Sequence, residues 1–304
     1  MTGQPKVGHP KAGQNNGLGI LLMATTMLIF ALQDGLSRHL ASEYNTWLVV
    51  MYRFWFFALF VIAWTMRQSG GLRAALRTRQ PLVQALRGVL LAAEICVMVV
   101  AFIRLGLVES HAVFASCPLL VAALSGPVLG EKVGWRRWSA IFVGFVGMLI
   151  ILQPGYAVFT ANALIPLAAA FGFALYGLLT RYVARQDASA VSFFWTGIAG
   201  ALAVTPFGLW HWQWMTGPDA GLMLALSVLA CAGHYLLIKC YEVAEASAVQ
   251  PFAYLQLAFI TILGLTFFGE QLRPNVAVGT VVVVGAGVFT LWRARVREKA
   301  APRN

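Results

Sequence analysis

The sequence predicts an all-α integral membrane protein: ten transmembrane helices built as two inverted five-helix repeats, with the N-terminus and the C-terminus both cytoplasmic. Composition, cation placement and an internal repeat each point that way. Of the 304 residues, 60% are hydrophobic and only 11% are charged, and the mean hydropathy is +0.75. Soluble globular chains carry roughly 25% charged and about 45–50% apolar residues, so a soluble enzyme is excluded. Crossing the hydrocarbon takes about 20 apolar residues. Ten such helices leave only short loops and tails, with no room for a folded extramembrane domain.

In chain order, a polar tail over 1–17, rich in Gly, Pro and Lys, comes first. It lacks the apolar core and small-residue cleavage site of a signal peptide, so the first helix is expected to be retained. Apolar runs follow at 18–37, 46–66, 85–104, 109–129 and 134–152, which make the first repeat, 18–152. Runs at 161–183, 189–209, 219–240, 246–268 and 274–292 make the second, 153–293, and 294–304 is a cytoplasmic tail. Tryptophans cluster at run edges (Trp47, Trp64, Trp135, Trp138, Trp210, Trp212, Trp214, Trp292), as an interfacial aromatic belt requires.

Cations orient the chain. With the N-terminus inside, seventeen Lys and Arg between Lys6 and Arg303 fall in inner segments, and only Arg38, Arg104 and Arg273 fall outside. Translocating a cation is costly, so cytoplasmic loops retain them. The net charge of +11 therefore reads as topology and contact with anionic lipids, not nucleic acid. Cys96, Cys117, Cys231 and Cys240 lie in apolar runs without C-x-x-C spacing, as small core residues do.

The chain repeats itself. At an offset of 143, Phe30–Arg38 lies over Phe173–Arg181 with five of nine pairs identical. At an offset of 139, Gly130-Glu131 lies over Gly269-Glu270, each closing the fourth run of its half. A duplicated five-helix unit has an odd number of crossings, so the second copy must be inverted. Inverted repeats place a site near the bilayer midplane and allow two packings to alternate access.

A duplicated unit closing its fourth helix with Gly-Glu resembles the drug/metabolite transporter superfamily in its ten-helix EamA-type branch, and more narrowly the YddG-type bacterial exporters of aromatic amino acids. The resemblance runs from about Gly17 to Arg293. It implies a multi-pass protein of the bacterial inner membrane that exports amino acids and related metabolites. In each Gly-Glu pair, the Gly suits a left-handed helix end. The Glu suits the positive N-terminus of the following helix, with a gating contact as the alternative.

Candidate site residues are the polar groups inside spans. Glu94 is costly at the bilayer centre and should face a cavity or a partner. It either contacts a substrate ammonium or carries a proton, or it is a paired structural residue. Arg87 lies about 10 Å along the axis from it, too far for direct pairing, and Arg53 is another candidate partner. The repeat sets His234 and Tyr235 over Ile95 and Cys96, so Glu94 and His234 fall at nearly matching levels. Gln250 and Tyr254 share one face, His111 overlays Gln250, and Gln33, Tyr176 and Trp195 complete an expected inward-facing set. Aromatic groups there suit an amphipathic zwitterion or an organic cation. Asp34 is expected near the outer end of the first helix, where water reaches it. Pro118 and Pro251 are candidate hinges, and Gly144, Gly147, Gly285 and Gly287 are expected to allow close helix packing.

The histidines lack metal-ligand spacing, and the chain has no nucleophile elbow, phosphate loop or dinucleotide fingerprint. The expectation is a monomeric secondary transporter needing no cofactor or metal, which exports amino acids, aromatic ones favoured by the resemblance. The alternatives are efflux of lipophilic cations or drugs and, from another class, an intramembrane enzyme or a channel.

Overall fold

A computed structural model describes residues 16–68, 71–129, 135–152, 162, 164–184, 186–243 and 252–300. Among them the chain is helical and carries no strand. In order come α1 (Asn16–Glu43), α2 (Thr46–Met66), α3 (Gly71–Leu76), α4 (Pro81–Leu105), α5 (Leu107–Phe114) and α6 (Cys117–Leu129). These are followed by α7 (Trp135–Leu152), α8 (Leu164–Val183), α9 (Ser189–Trp210), α10 (Gly217–Val243), α11 (Leu255–Phe267) and α12 (Pro274–Ala300). Six are long and apolar enough to cross a membrane: α1, α2, α4, α8, α9 and α10. Shorter apolar helices lie at Leu107–Val121, Leu255–Phe267 and Pro274–Ala286.

Local chemistry sets the helix ends. Asn45 caps α2 by accepting from the Leu48 N–H at 2.8 Å, and Pro81 opens α4, where its missing N–H costs nothing. Gly106, at φ +87°, turns the chain from α4 into α5, and Gly269, at φ +60°, follows α11. Hydroxyls within the spans bond back to the carbonyl four residues earlier, as Thr26 does to Leu22 at 2.7 Å and Ser227 to Met223 at 2.8 Å. Those hydroxyls are thereby satisfied within their own helices.

The fourth and ninth apolar runs are not continuous helices. The fourth breaks at Ala115–Ser116, between α5 and α6. Pro118 causes this, because its ring clashes with the carbonyl four residues back and it has no N–H to donate; it sits in the first turn of α6, where proline is tolerated. In the ninth run, residues 252 and 253 are helical, Tyr254 is a turn, and α11 begins at Leu255. Pro251 and Gln250 lie outside the described residues, as do Gly130 and Glu131.

Helices pack in a pattern that alternates the two halves. α1 lies on α10, α4 on α8, α2 on α9 and α7 on α12, with α1 also on α11 and α6 on α8. Small residues permit the closest approaches. A β-carbon on Gly88 would stand 2.6 Å from Cβ of Ala199, and one on Gly233 would stand 2.6 Å from the Phe30 ring. Gly144 touches Leu119, and a β-carbon on Gly147 would stand 2.8 Å from Val282. Gly285 faces open space instead, so its expected packing role does not hold: its place on α12 turns it away from α7. The outer faces are apolar, and Trp210 and Trp214 are 87% and 85% exposed.

Candidate functional site

A cavity with about 130 Å3 of space open to the centre of a water molecule lies between the helices of the two halves. The spacing of its lining residues follows the helix period. α1 contributes Met23, Met27, Phe30 and Asp34, with Gln33 beside them; α4 contributes Leu91, Glu94, Ile95, Met98 and Phe102. Each set recurs every three or four residues, one face of an α-helix. Arg53 comes from α2, His111 and Phe114 from α5, Cys117 and Pro118 from α6, Phe173 from α8, and His234 and Leu237 from α10. Ala253, Tyr254, Gln256 and Leu257 close the ring at the break before α11.

The polar groups form two layers. In the central one, Glu94, Arg53 and His234 are all buried. Arg53 Nη2 lies 3.3 Å from His234 Nε2. The His234 ring is wedged between Phe30, at 5.3 Å, and Phe57, at 6.2 Å. Glu94 has no hydrogen bond or ion pair among the described residues and lies beside Gly172 of α8, where a β-carbon would stand in ordinary contact at 3.4 Å from its Cβ.

The second layer joins α1, α5 and α11. His111 Nδ1 donates to the Leu107 carbonyl at 3.0 Å, which leaves Nε2 facing Asp34 Oδ2 at 3.1 Å. The Gln256 amide donates to the same oxygen at 3.0 Å and lies 3.3 Å from His111 Nε2. Phe102 stacks on His111 at 5.1 Å with an 8° tilt. Asp34 is therefore held on two sides within the helix bundle while staying half-buried, its side chain 13% exposed. Beyond this layer Arg38 pairs with Glu270 and lies 4.3 Å over the Phe268 ring, and Arg273 pairs with Glu109 at 3.0 Å. Glu270 also receives the N–H groups of Leu107 and Val108. It thus serves the N-terminus of α5, not that of the helix following it as expected.

Of the candidate residues, Gln33, Glu94, His111, His234, Tyr254 and Pro118 meet at the cavity. Three do not line it. Tyr176 lies under Arg87, 5.2 Å from ring centre to guanidinium. Tyr235 packs against Trp64 at 5.0 Å and Phe193 at 5.8 Å. Trp195 packs into the main hydrophobic cluster with its indole N–H buried and unpaired. Arg87 bonds Thr180, Gln84 and Thr196, well away from Glu94. The cavity adds Arg53, Asp34 and Gln256 to the expected set. Among the described residues, no cluster of three His, Cys, Asp or Glu could hold a metal, and the four cysteines are free and buried.

The sequence profile of the EamA-like transporter family matches residues 17–153 and again 160–292. The S-adenosylmethionine uptake transporter of Rickettsia prowazekii is 24% identical over 90% of this chain and 92% of its own length. The riboflavin transporter of Vibrio cholerae is 28% identical over 91% and 94%. The pseudopaline exporter of Pseudomonas aeruginosa is 23% identical over 88% and 94%. A crystal structure covering 92% of this chain superposes with a TM-score of 0.65 at 18% identity, a likeness of fold alone. This multi-pass, helical membrane protein belongs to the EamA-like transporter family, within the drug/metabolite transporter superfamily, and is a membrane transporter of small metabolites.

Proposed function

We propose that the chain is a secondary transporter that exports amino acids, aromatic ones favoured, across the bacterial inner membrane. Ten crossings, with α5 and α6 together as the fourth and residues 246–268 as the ninth, place both termini in the cytoplasm and the Arg38–Glu270 end outside. Two inverted halves then rock about the cavity. The family profile matching twice supports this reading. So does the packing pattern, which maps onto itself when the halves are exchanged: α1 on α10 answers to α8 on α4.

One observation carries the cargo. Two buried ionisable groups of the first half, Arg53 and Glu94, line a cavity walled by Phe30, Phe102, Phe114, Phe173 and methionines. An ionised group inside a membrane protein faces a cavity or a substrate path, and aromatic walls suit a side chain that stacks. A second reading is favoured by the relatives named for S-adenosylmethionine. That metabolite also joins an amino-acid end to a cation and an aromatic base. Riboflavin, named for another relative, has neither a carboxylate nor an ammonium and would leave both charges unused.

Counterflow in proteoliposomes tests the reading. Vesicles preloaded with unlabelled phenylalanine are expected to accumulate labelled phenylalanine transiently, and excess tryptophan should abolish the effect. Labelled S-adenosylmethionine accumulating while amino acids do not would favour the second reading. Accumulation of lipophilic cations alone would replace both.

A further inference from the structure

Among the described residues two arginines are buried in the spans, Arg87 and Arg53, and their surroundings differ. Arg87 is 0% exposed. It donates to Thr180 at 3.0 Å, to Gln84 and to Thr196, and lies against the face of Tyr176. Arg53 is 4% exposed. Its one hydrogen-bond partner among the described residues is His234, and no carboxylate stands within ion-pair distance. A guanidinium presents five N–H donors in a planar fork and accepts nothing. A buried cation without an anion is strongly destabilising, so a group that leaves its donors open to a cavity is held for something that enters.

We propose that Arg53 is the carboxylate-binding residue of the cavity, positioned by His234, and that it seats the head group of an α-amino acid with the ammonium turned to Glu94. The inference rests on the transport reading above and assigns the head-group end of its substrate. His234 supports it by tautomer. Arg53 can only donate, so Nε2 must accept, which puts the ring proton on Nδ1, an atom buried without a partner. With the ring packed between Phe30 and Phe57, His234 cannot turn away, and the Arg53 fork keeps one direction. Arg53 lines the cavity, and its uncommitted N–H groups can match a carboxylate in two-point geometry, which a lysine ammonium does not reproduce. Asp34, the other carboxylate lining the cavity, is already engaged by Gln256 and His111. Glu94 is not, and stays available to an ammonium.

Three probes that differ only in the head group test this on the full-length protein in nanodiscs, read by thermal protection and tryptophan fluorescence. They are phenylalanine, phenylalaninamide without the carboxylate, and 3-phenylpropionate without the ammonium. The wild type is expected to bind the amide at least about tenfold more weakly than phenylalanine. Arg53→Gln should reduce that ratio to near unity and abolish binding of 3-phenylpropionate. Glu94→Gln should weaken phenylalanine and the amide but spare 3-phenylpropionate. Arg53→Lys keeps the charge in place should Arg53→Gln fail to fold, and it is expected to lose most of the discrimination. His234→Gln should lower discrimination without removing the carboxylate preference.

Phenylalanine binding with its preference over the amide intact in both Arg53 variants overturns the assignment and leaves the transport reading standing. Binding of 3-phenylpropionate that depends on Arg53, with no binding of phenylalanine, supports the anion site and removes the amino-acid cargo. A wild type that binds no carboxylate at all overturns the proposal.

Discussion

The carboxylate of Glu270 and the backbone N–H of Leu107 meet at 2.7 Å across 163 residues of sequence. The second oxygen of Glu270 takes the Val108 N–H at 2.8 Å. One side chain therefore satisfies two of the unpaired donors that open α5, and its charge suits the positive end of that helix. Arg38 completes the contact from α1. Glu270→Gln removes the charge from both relationships and should cost roughly 1–3 kcal/mol, seen as a lower melting temperature of the protein in nanodiscs. An unchanged melting temperature would show that α5 does not depend on this contact.

The α4–α9 crossing has no slack at Gly88. A β-carbon there would come within 2.6 Å of Ala199 Cβ and 3.1 Å of the Trp195 carbonyl oxygen, and neither can swing aside as the tip of a long side chain would. Gly88→Ala should therefore force the helices apart and cost about 1–3 kcal/mol. The double variant Gly88→Ala, Ala199→Gly should recover most of it, because the removed methyl vacates the space. Equal melting temperatures for the wild type and the Gly88→Ala variant would contradict the crossing geometry.

Helical content and most of the polar membership of the cavity were legible in the sequence, because a charge or an imidazole inside an apolar run must find shelter. Glu94 and His234 stand out on that ground alone, and the repeat sets them level. Orientation of the uncharged residues was not legible. Lipid-facing and core-facing positions of a membrane helix are both apolar, so the phase of a run such as 189–209 is weakly determined. Tyr235 illustrates the limit: it neighbours His234 in sequence, yet packs outward from the cavity against Trp64. Arg53 shows another. The sequence offers it only as a candidate partner for Glu94, and the packing of α2 against α10 sets it on His234. The link between Glu270 and α5 joins distant parts of the chain, and no local pattern encodes it.

Acid should loosen the junction between the α3–α4 loop and the start of α9. Burial alone would raise the Asp187 carboxyl. The hydrogen bonds from Thr78, from the Gln84 amide at 2.9 Å and from the Arg79 N–H at 3.2 Å outweigh it, with help from the Arg79 charge. The group is thus held below its ordinary value of 3.8. A carboxylate that binds its proton less readily in the folded chain stabilises the fold above the unfolded value, and loses that contribution as the pH falls through the folded one. Asp187→Asn should melt below the wild type at neutral pH, and the two curves should converge in acid. A constant offset across the titration would remove the charge from the explanation.

Asp34 holds two partners on one oxygen in the layer above the central charges. Its Oδ2 accepts from Gln256 and faces His111 Nε2, and the other nitrogen of that ring is committed to the Leu107 carbonyl. Asparagine cannot rebuild both contacts, because they fall on one atom: an oxygen there keeps the Gln256 bond but sets a lone pair against Nε2 of a neutral ring, and an amide nitrogen there meets Nε2 but opposes the Gln256 N–H. Alanine removes both contacts and leaves Gln256 and His111 only each other, 3.3 Å apart. Asp34→Asn and Asp34→Ala should therefore both melt below the wild type, at a cost of about 1–3 kcal/mol. An Asp34→Asn variant that melts with the wild type would mean that the shared oxygen does not hold α1 to α5 and α11.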